Sequence, residues 1–267
     1  DGSIELSASA TAAHDSDGEI EVLVLGVDPF ADDLENEVRD SFEDPDDYDF
    51  SLMHITDTQY LSEGATQQET AEERAEWASA YESSYSWLAE HAEEYKVEFV
   101  AHTGDVIESW NTGGATDRTV AEEEFAFASE TQRLLEDTGI PHAVLPGNHD
   151  NLGGGDVGPD SLFDEYFGAD RYEALAASES WQEAGAEYHP PWQEGDNQNS
   201  YTLFTAGGLE FIAVSLGYDV TEEEAAWASD VLDRYPTRNA IVLTHAYNKP
   251  SDAADGRGGA PSRPTAP

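Results

Sequence analysis

The chain has 267 residues, and its 58 Asp and Glu against 11 Lys and Arg leave a formal charge of −47. Lys96 and Lys249 are the only lysines, so the basic patch needed by a nucleic-acid backbone or an anionic membrane is missing. Yet 39% of the residues are hydrophobic, with 6 Trp, 12 Tyr and 10 Phe, which excludes a disordered polyacid, and the absence of Cys excludes thiol catalysis, thiolate metal sites and disulfides.

A domain this acidic repels itself in dilute buffer, and concentrated salt cuts the repulsion to a range of about 3 Å at 1 M. The composition therefore predicts a protein of a high-salt organism. No apolar run approaches the roughly 18 residues of a membrane span. The chain opens in a strand pattern at Asp1-Gly2-Ser3-Ile4 and closes in a Gly/Pro/Ser-rich tail from Gly256 to Pro267. Both ends read as cuts through a longer polypeptide. A targeting signal would lie outside this stretch, and an extracellular or cell-surface location is expected.

Residues 1–26 alternate with period two around the turn Asp15-Ser16-Asp17-Gly18, a β-hairpin pattern. It resembles the last strands of an immunoglobulin-like β-sandwich module. Asp15-x-Asp17 does not open an EF-hand, because Ile20 stands where that loop needs Gly. Residues 27–49, dense in Asp and Glu, read as an acidic linker. The third unit, 50–267, begins with a strand at Phe50–Thr56. Thr70-x-x-Glu73 is a capping box opening a long helix, whose stripe of Ala71, Ala75, Ala78, Tyr81, Tyr85, Leu88, Ala92 and Tyr95 is a core face. A strand at Val97–Thr103, a helix at Val120–Leu135 and a strand at His142–Pro146 follow. After a Gly-rich loop and short helical pieces comes a hairpin, Tyr201–Thr205 and Leu209–Leu216. Thr221-x-x-Glu224 caps another helix before a last strand at Ala240–Thr244. Alternating strands and helices predict an α/β layered domain.

Four strings place metal-capable side chains just past apolar strands: His54-Ile55-Thr56-Asp57-Thr58-Gln59, His102-Thr103-Gly104-Asp105, Pro146-Gly147-Asn148-His149-Asp150 and Leu243-Thr244-His245. Ligands of open α/β sheets bind beyond the carboxyl ends of strands. Asp, Gln, Asp, Asn and His gathered there suit two hard or borderline divalent ions such as Mn, Fe, Zn, Mg or Ca. Gly104 and Gly147 would let the backbone turn sharply beside them.

These strings resemble the calcineurin-like metallophosphoesterase family, whose pattern runs D-x-H, G-D-x-x-[DEN], G-N-H-[DE], a lone His and G-H-x-H. The resemblance covers Phe50 to His245 and implies a four-layer α/β/β/α sandwich that hydrolyses phosphate esters with two divalent cations. It implies that Asp57 and Gln59 hold the first metal, Gln59 standing where most members have His, as in a secreted branch. Asp105 would bridge both metals, and Asn148 and His245 would hold the second. A water acidified between the cations would attack phosphorus in line. His149 would protonate the leaving oxygen, with Asp150 orienting it. The closing G-H-x-H is missing, which reads as truncation and predicts incomplete metal shells.

Other readings stand beside these. His54 and His102 lie three positions before Asp57 and Asp105, on the opposite strand face, and are expected to be packed or hydrogen-bonded core residues. Glu108 is expected to support rather than ligate; His142 and His189 are expected on the surface or in loops. Gly153-Gly154-Gly155-Asp156-Val157-Gly158 matches a dinucleotide fingerprint by letter, but Pro159 follows and no βαβ unit surrounds it. No P-loop, G-x-S-x-G or H-E-x-x-H occurs. The rival reading is a cell-surface binding protein that kept the fold and lost the chemistry.

Overall fold

The computed structural model describes residues 44–111, 117–153, 158–189 and 192–245. The module expected over 1–26, most of the acidic linker and the Gly/Pro/Ser-rich tail lie outside the described residues. The linker's last residues include one short 3-10 turn, Pro45–Asp47.

The first half alternates strands and helices: β1 (Ser51–Ile55), α1 (Gln59–Gln67), α2 (Ala71–His91), β2 (Val97–His102), α3 (Arg118–Glu136) and β3 (His142–Val144). The three strands are parallel, with β2 central. Parallel neighbours need long crossovers, and the helices supply them. Helix α2 starts in the expected capping box, the Glu73 N–H donating to Thr70 Oγ1 and the Thr70 N–H to the Glu73 carboxylate, both at 3.1 Å. Its predicted stripe is buried only in the second half, at Tyr81, Tyr85 and Leu88. Ala71 and Ala75 are exposed, because the early turns pack on α1 rather than on the sheet. Helix α1 was not foreseen: it is nine residues long, lacks a side-chain cap and carries a mid-helix Gly.

Three short helices follow, α4 (Leu162–Phe167), α5 (Ala169–Ala176) and α6 (Glu179–Glu183), then β4 (Glu187–His189), β5 (Asn199–Ala206), β6 (Leu209–Leu216), α7 (Glu222–Arg234) and β7 (Asn239–Thr244). In the second sheet β4, β5 and β6 are antiparallel and β7 runs parallel to β6. The expected hairpin closes on Gly207-Gly208, with φ of +55° and +78°, a two-residue turn whose twist matches its strands.

Period-two alternation in β5 and β6 feeds two cores. Phe204 and Phe211 face the first sheet, and Phe204 stacks on Phe99 of β2 at 4.3 Å. Tyr201, Leu203, Ile212 and Val214 face α7, where Ala228 and Val231 meet them. On the far side of the first sheet, α2 and α3 bury Tyr81, Tyr85, Leu88, Phe125 and Ala128. Each such large side chain stabilises the fold by about 1.5–3 kcal/mol. The layers run helix, sheet, sheet, helix, the architecture the resemblance implies.

Two histidines differ from expectation. His142 begins β3 and is buried. Its Nδ1–H donates to the Ile140 carbonyl at 2.9 Å, and its ring meets Tyr172 and Trp181 edge-on. Strand pairing draws it inward, and burial pushes its pKa down to about 4. His189 lies in β4, stacked on Tyr201 at 4.7 Å.

Candidate metal centre

The carboxyl ends of β1, β2, β3, β6 and β7 open on one edge. The Asp57 N–H donates to Gly104 O at 3.0 Å, joining the ends of β1 and β2; the Tyr218 N–H donates to Pro146 O at 3.0 Å, joining those of β6 and β3. Asp57 and Asp105 both take left-handed backbone, with φ of +57° and +52°. Such a conformation costs a side-chain-bearing residue about 1–3 kcal/mol and persists where surroundings hold it. Here the loops interlock. A Cβ on Gly104 would sit 2.4 Å from Gly147 N, and one on Gly147 only 2.1 Å from Asp105 Oδ1, so both positions must be Gly. The His149 N–H then donates to Asp105 Oδ1 at 3.0 Å.

Asp57, Asp105 and His245 each turn one ligand-capable atom inward, all within 4.8 Å of one another. His245 Nε2 lies 3.3 Å from Asp105 Oδ2, while Nδ1 meets the Thr103 carbonyl at 2.8 Å. That second bond fixes the ring and leaves Nε2 as the nitrogen that could ligate an ion. The Gln59 amide nitrogen lies 3.5 Å from Asp105 Oδ2. With the amide turned over, that nitrogen would donate to the backbone carbonyls of Asp57 and Asp105 at 3.0 and 3.2 Å, and Oε1 would face the Asp105 carboxylate across a gap with no proton in it. A cation suits that gap, and hard oxygens plus imidazole suit Mg, Mn, Fe or Zn. Asn148 is half-buried on the loop after β3. Burial opposes ionisation of Asp105, but the hydrogen bond and charge of His245 outweigh it and lower its pKa. Burial likewise opposes the charged form of His245, and Asp105 overrides it, raising the pKa to about 9.

The partner of His149 is not the one expected. Asp150 is fully buried, and its carboxylate accepts from the backbone N–H of Val106 (2.8 Å), Ile107 (3.0 Å) and Gly147 (2.7 Å). It pins the two loops together, and no bond to His149 is formed; burial followed by the charge of Asp105 raises its pKa to about 7. Glu108 takes the place instead, its Oε2 3.0 Å from His149 Nδ1, with the Asn111 amide 2.8 Å from the same nitrogen. Glu108 is in turn set by Glu124 of α3, which accepts from the N–H groups of Glu108 and Ser109 at 3.0 Å and from Ser109 Oγ at 2.8 Å. Nothing in the helical pattern marked Glu124, and no motif marked Asn111.

Of the paired histidines, His102 is core. Its Nε2 meets Thr58 Oγ1 at 2.9 Å, and its pKa is pushed to about 3 by burial and then by His54 and His245. His54, on edge strand β1, is exposed and bonds Thr103 Oγ1 at 2.7 Å. Arg118, at the start of α3, pairs with Glu122 and Glu165, and Arg171, in α5, pairs with Glu136, so both are engaged by carboxylates.

A family model described as calcineurin-like phosphoesterase matches residues 50–264. The Bacillus subtilis (strain 168) protein YvnB, described as uncharacterized, is 26% identical over 198 residues, which is 74% of this chain; the chain spans 13% of that relative's length. A crystal structure of a dimetal phosphatase from Danio rerio aligns over 79% of this chain and 74% of its own, with a TM-score of 0.37 and 11% identity. The match runs from the first residues of the sandwich across every strand end that bears a candidate ligand, and on it the chain belongs to the calcineurin-like phosphoesterase family.

Proposed function

We propose that the chain hydrolyses a phosphomonoester or phosphodiester with two divalent cations held at this edge by Asp57, Gln59, Asp105, Asn148 and His245. The observation that carries the reading is the convergence of Asp57, Asp105 and His245 from three separate strand ends, in a family of metal-dependent phosphoesterases. Divalent cations supply neutralisation of the phosphoryl charge and a water acidic enough to serve as nucleophile. Asp105, which shares its cluster with Asp57 and His245, would hold both cations. His149, its Nδ1 held by Glu108, gives a proton from Nε2 to the leaving oxygen. Glu108, with its backbone carbonyl 3.2 Å and its carboxylate 3.0 Å from Nδ1, orients the ring. Asp150 holds the loops in register.

The test combines Mn²⁺ binding with turnover. Asp105→Asn should lose metal and about 10²–10³-fold in turnover, the size of one preorganised electrostatic group, while Gln59→Ala loses less. His149→Ala should keep the metal and lose about 10²–10⁴-fold, most for an alkyl phosphate and least for a nitrophenyl ester. Equal, mild losses for Asp105→Asn and Gln59→Ala would remove the bridging role. Metal binding without turnover on any ester would favour the rival reading of a binding protein.

A further inference from the structure

A buried polar chain runs behind the metal edge and touches both strained loops without touching the ligand atoms. His102 closes β2 at 2% exposure, and its Nδ1 accepts the Gly104 N–H at 3.2 Å. With Nδ1 an acceptor, the ring proton sits on Nε2 and donates to Thr58 Oγ1 at 2.9 Å. Thr58 Oγ1 in turn shares a hydrogen bond with Tyr81 Oη at 3.0 Å, in which either hydroxyl can donate, and Tyr81 Oη accepts from Gln132 Nε2 at 3.2 Å. The backbone N–H at the start therefore sets the direction of the link from His102 to Thr58. Thr58 stands between Asp57 and Gln59, and Gly104 immediately precedes Asp105. The chain thus joins the two loops whose aspartates hold positive φ, and its far end is anchored in α2 and α3.

We propose that His102 and Thr58 are positioning residues that fix the separation of Asp57 and Asp105, and hence the affinity of the edge for divalent cations. The inference rests on the metal-centre reading above. It needs no contact between either residue and an ion. Positioning groups of this kind are worth about 10–100-fold in metal affinity.

Three variants of the 267-residue chain decide it. Thr58→Val keeps the shape and removes the hydroxyl; Thr58→Ser restores it; Tyr81→Phe removes only the next oxygen. Mn²⁺ titration by calorimetry, metal-free thermal melts, and kcat and KM on a nitrophenyl phosphate ester are measured for each. Thr58→Val should weaken Mn²⁺ binding about 10–100-fold and lower kcat more than it raises KM. Thr58→Ser should recover nearly all of the affinity, and Tyr81→Phe should fall between. Should Thr58→Val not fold, weaker Mn²⁺ binding by Tyr81→Phe supports the role and unchanged binding overturns it. Wild-type affinity in Thr58→Val, equal loss in Thr58→Ser, or a lowered metal-free melt with unaltered Mn²⁺ binding also overturns it. Failure of the wild-type chain to bind Mn²⁺ is a separate result, and it refutes the metal-centre reading together with this one.

Discussion

Two turns at opposite ends of the sandwich adopt the same left-handed backbone and solve it differently. At the far end, the β5–β6 hairpin uses Gly207 and Gly208, which take positive φ without strain. At the metal edge, Asp57 and Asp105 take nearly the same φ with a carboxylate attached. The hairpin needs only a reversal of direction, whereas the edge needs a reversal and an oxygen ligand at the same residue. Strain is carried where the side chain is indispensable, and the surrounding bonds of Gly104, Gly147, His149 and Asp150 hold it in place.

Salt should exert the largest effect. With a charge of −47, the metal-free chain should melt at sharply rising temperature as KCl climbs toward 1 M, where screening is near 3 Å. The edge, crowded with Asp57, Asp105, Glu108 and Asp150, should open before the hairpin end does, and hydrogen exchange read at several salt concentrations separates the two. A salt-independent melt contradicts the adaptation to molar salt and leaves the metal site untouched.

The hairpin comes next. Gly207→Ala places a Cβ 2.4 Å from the Phe50 ring at φ +55°, and should cost about 2–4 kcal/mol in urea melts. Gly208→Asn meets nothing within 4 Å and should be close to neutral. If both were neutral, the contrast between the ends would vanish.

His142 tests the far end by pH. Its pKa of about 4 lies below the ordinary 6.5, so below pH 6.5 the unfolded chain takes up a proton that the folded one refuses. Stability from this group is complete above pH 6.5 and is lost as pH falls toward 4. Between pH 7 and pH 4.5 the loss should be about 2–3 kcal/mol. His142→Phe should remove that part of the acid slope in paired urea melts, and an unchanged slope would refute the assignment.

The smallest effect has the opposite sign. Asp57→Gly should raise the metal-free stability by about 0.5–1 kcal/mol, since it relieves φ +57° and removes a charge beside Asp105. It should also weaken Mn²⁺ binding. A destabilised metal-free Asp57→Gly would show that the edge is not strained.

Local strings were the legible part of this molecule. His-Thr-Gly-Asp and Gly-Asn-His-Asp each put a ligand and its Gly within a few residues, so the edge was readable without knowing the strand order. What depends on strand order was not. His54 and His102 occupy equivalent places in their strings, yet β1 is an edge strand and β2 a central one, so only His102 is enclosed. Asp150 follows His149 in sequence, which suggests a pair, but its carboxylate binds the N–H groups of Val106, Ile107 and Gly147 instead. The actual partner, Glu108, lies across the edge on the loop after β2. Helix α1 is illegible in the sequence because it has no side-chain cap and the residues it buries are Gln59, Ser62 and Gly64 rather than apolar ones.

The interlock of Gly104 with Gly147 has a consequence for ionic radius. The backbones meet so closely that neither loop can move inward, and the bonds of Asp150 to Val106, Ile107 and Gly147 keep them from parting, which fixes Asp105 against the strand ends. On the proposed reading, a larger or smaller cation could not be met by moving Asp105. Accommodation falls to the opposite wall, to the Gln59 amide on its own loop and to the His245 ring on its Thr103 hinge. On that reading, exchange of metal preference would fall to those two positions, with the glycine-locked aspartate as the unmoving jaw.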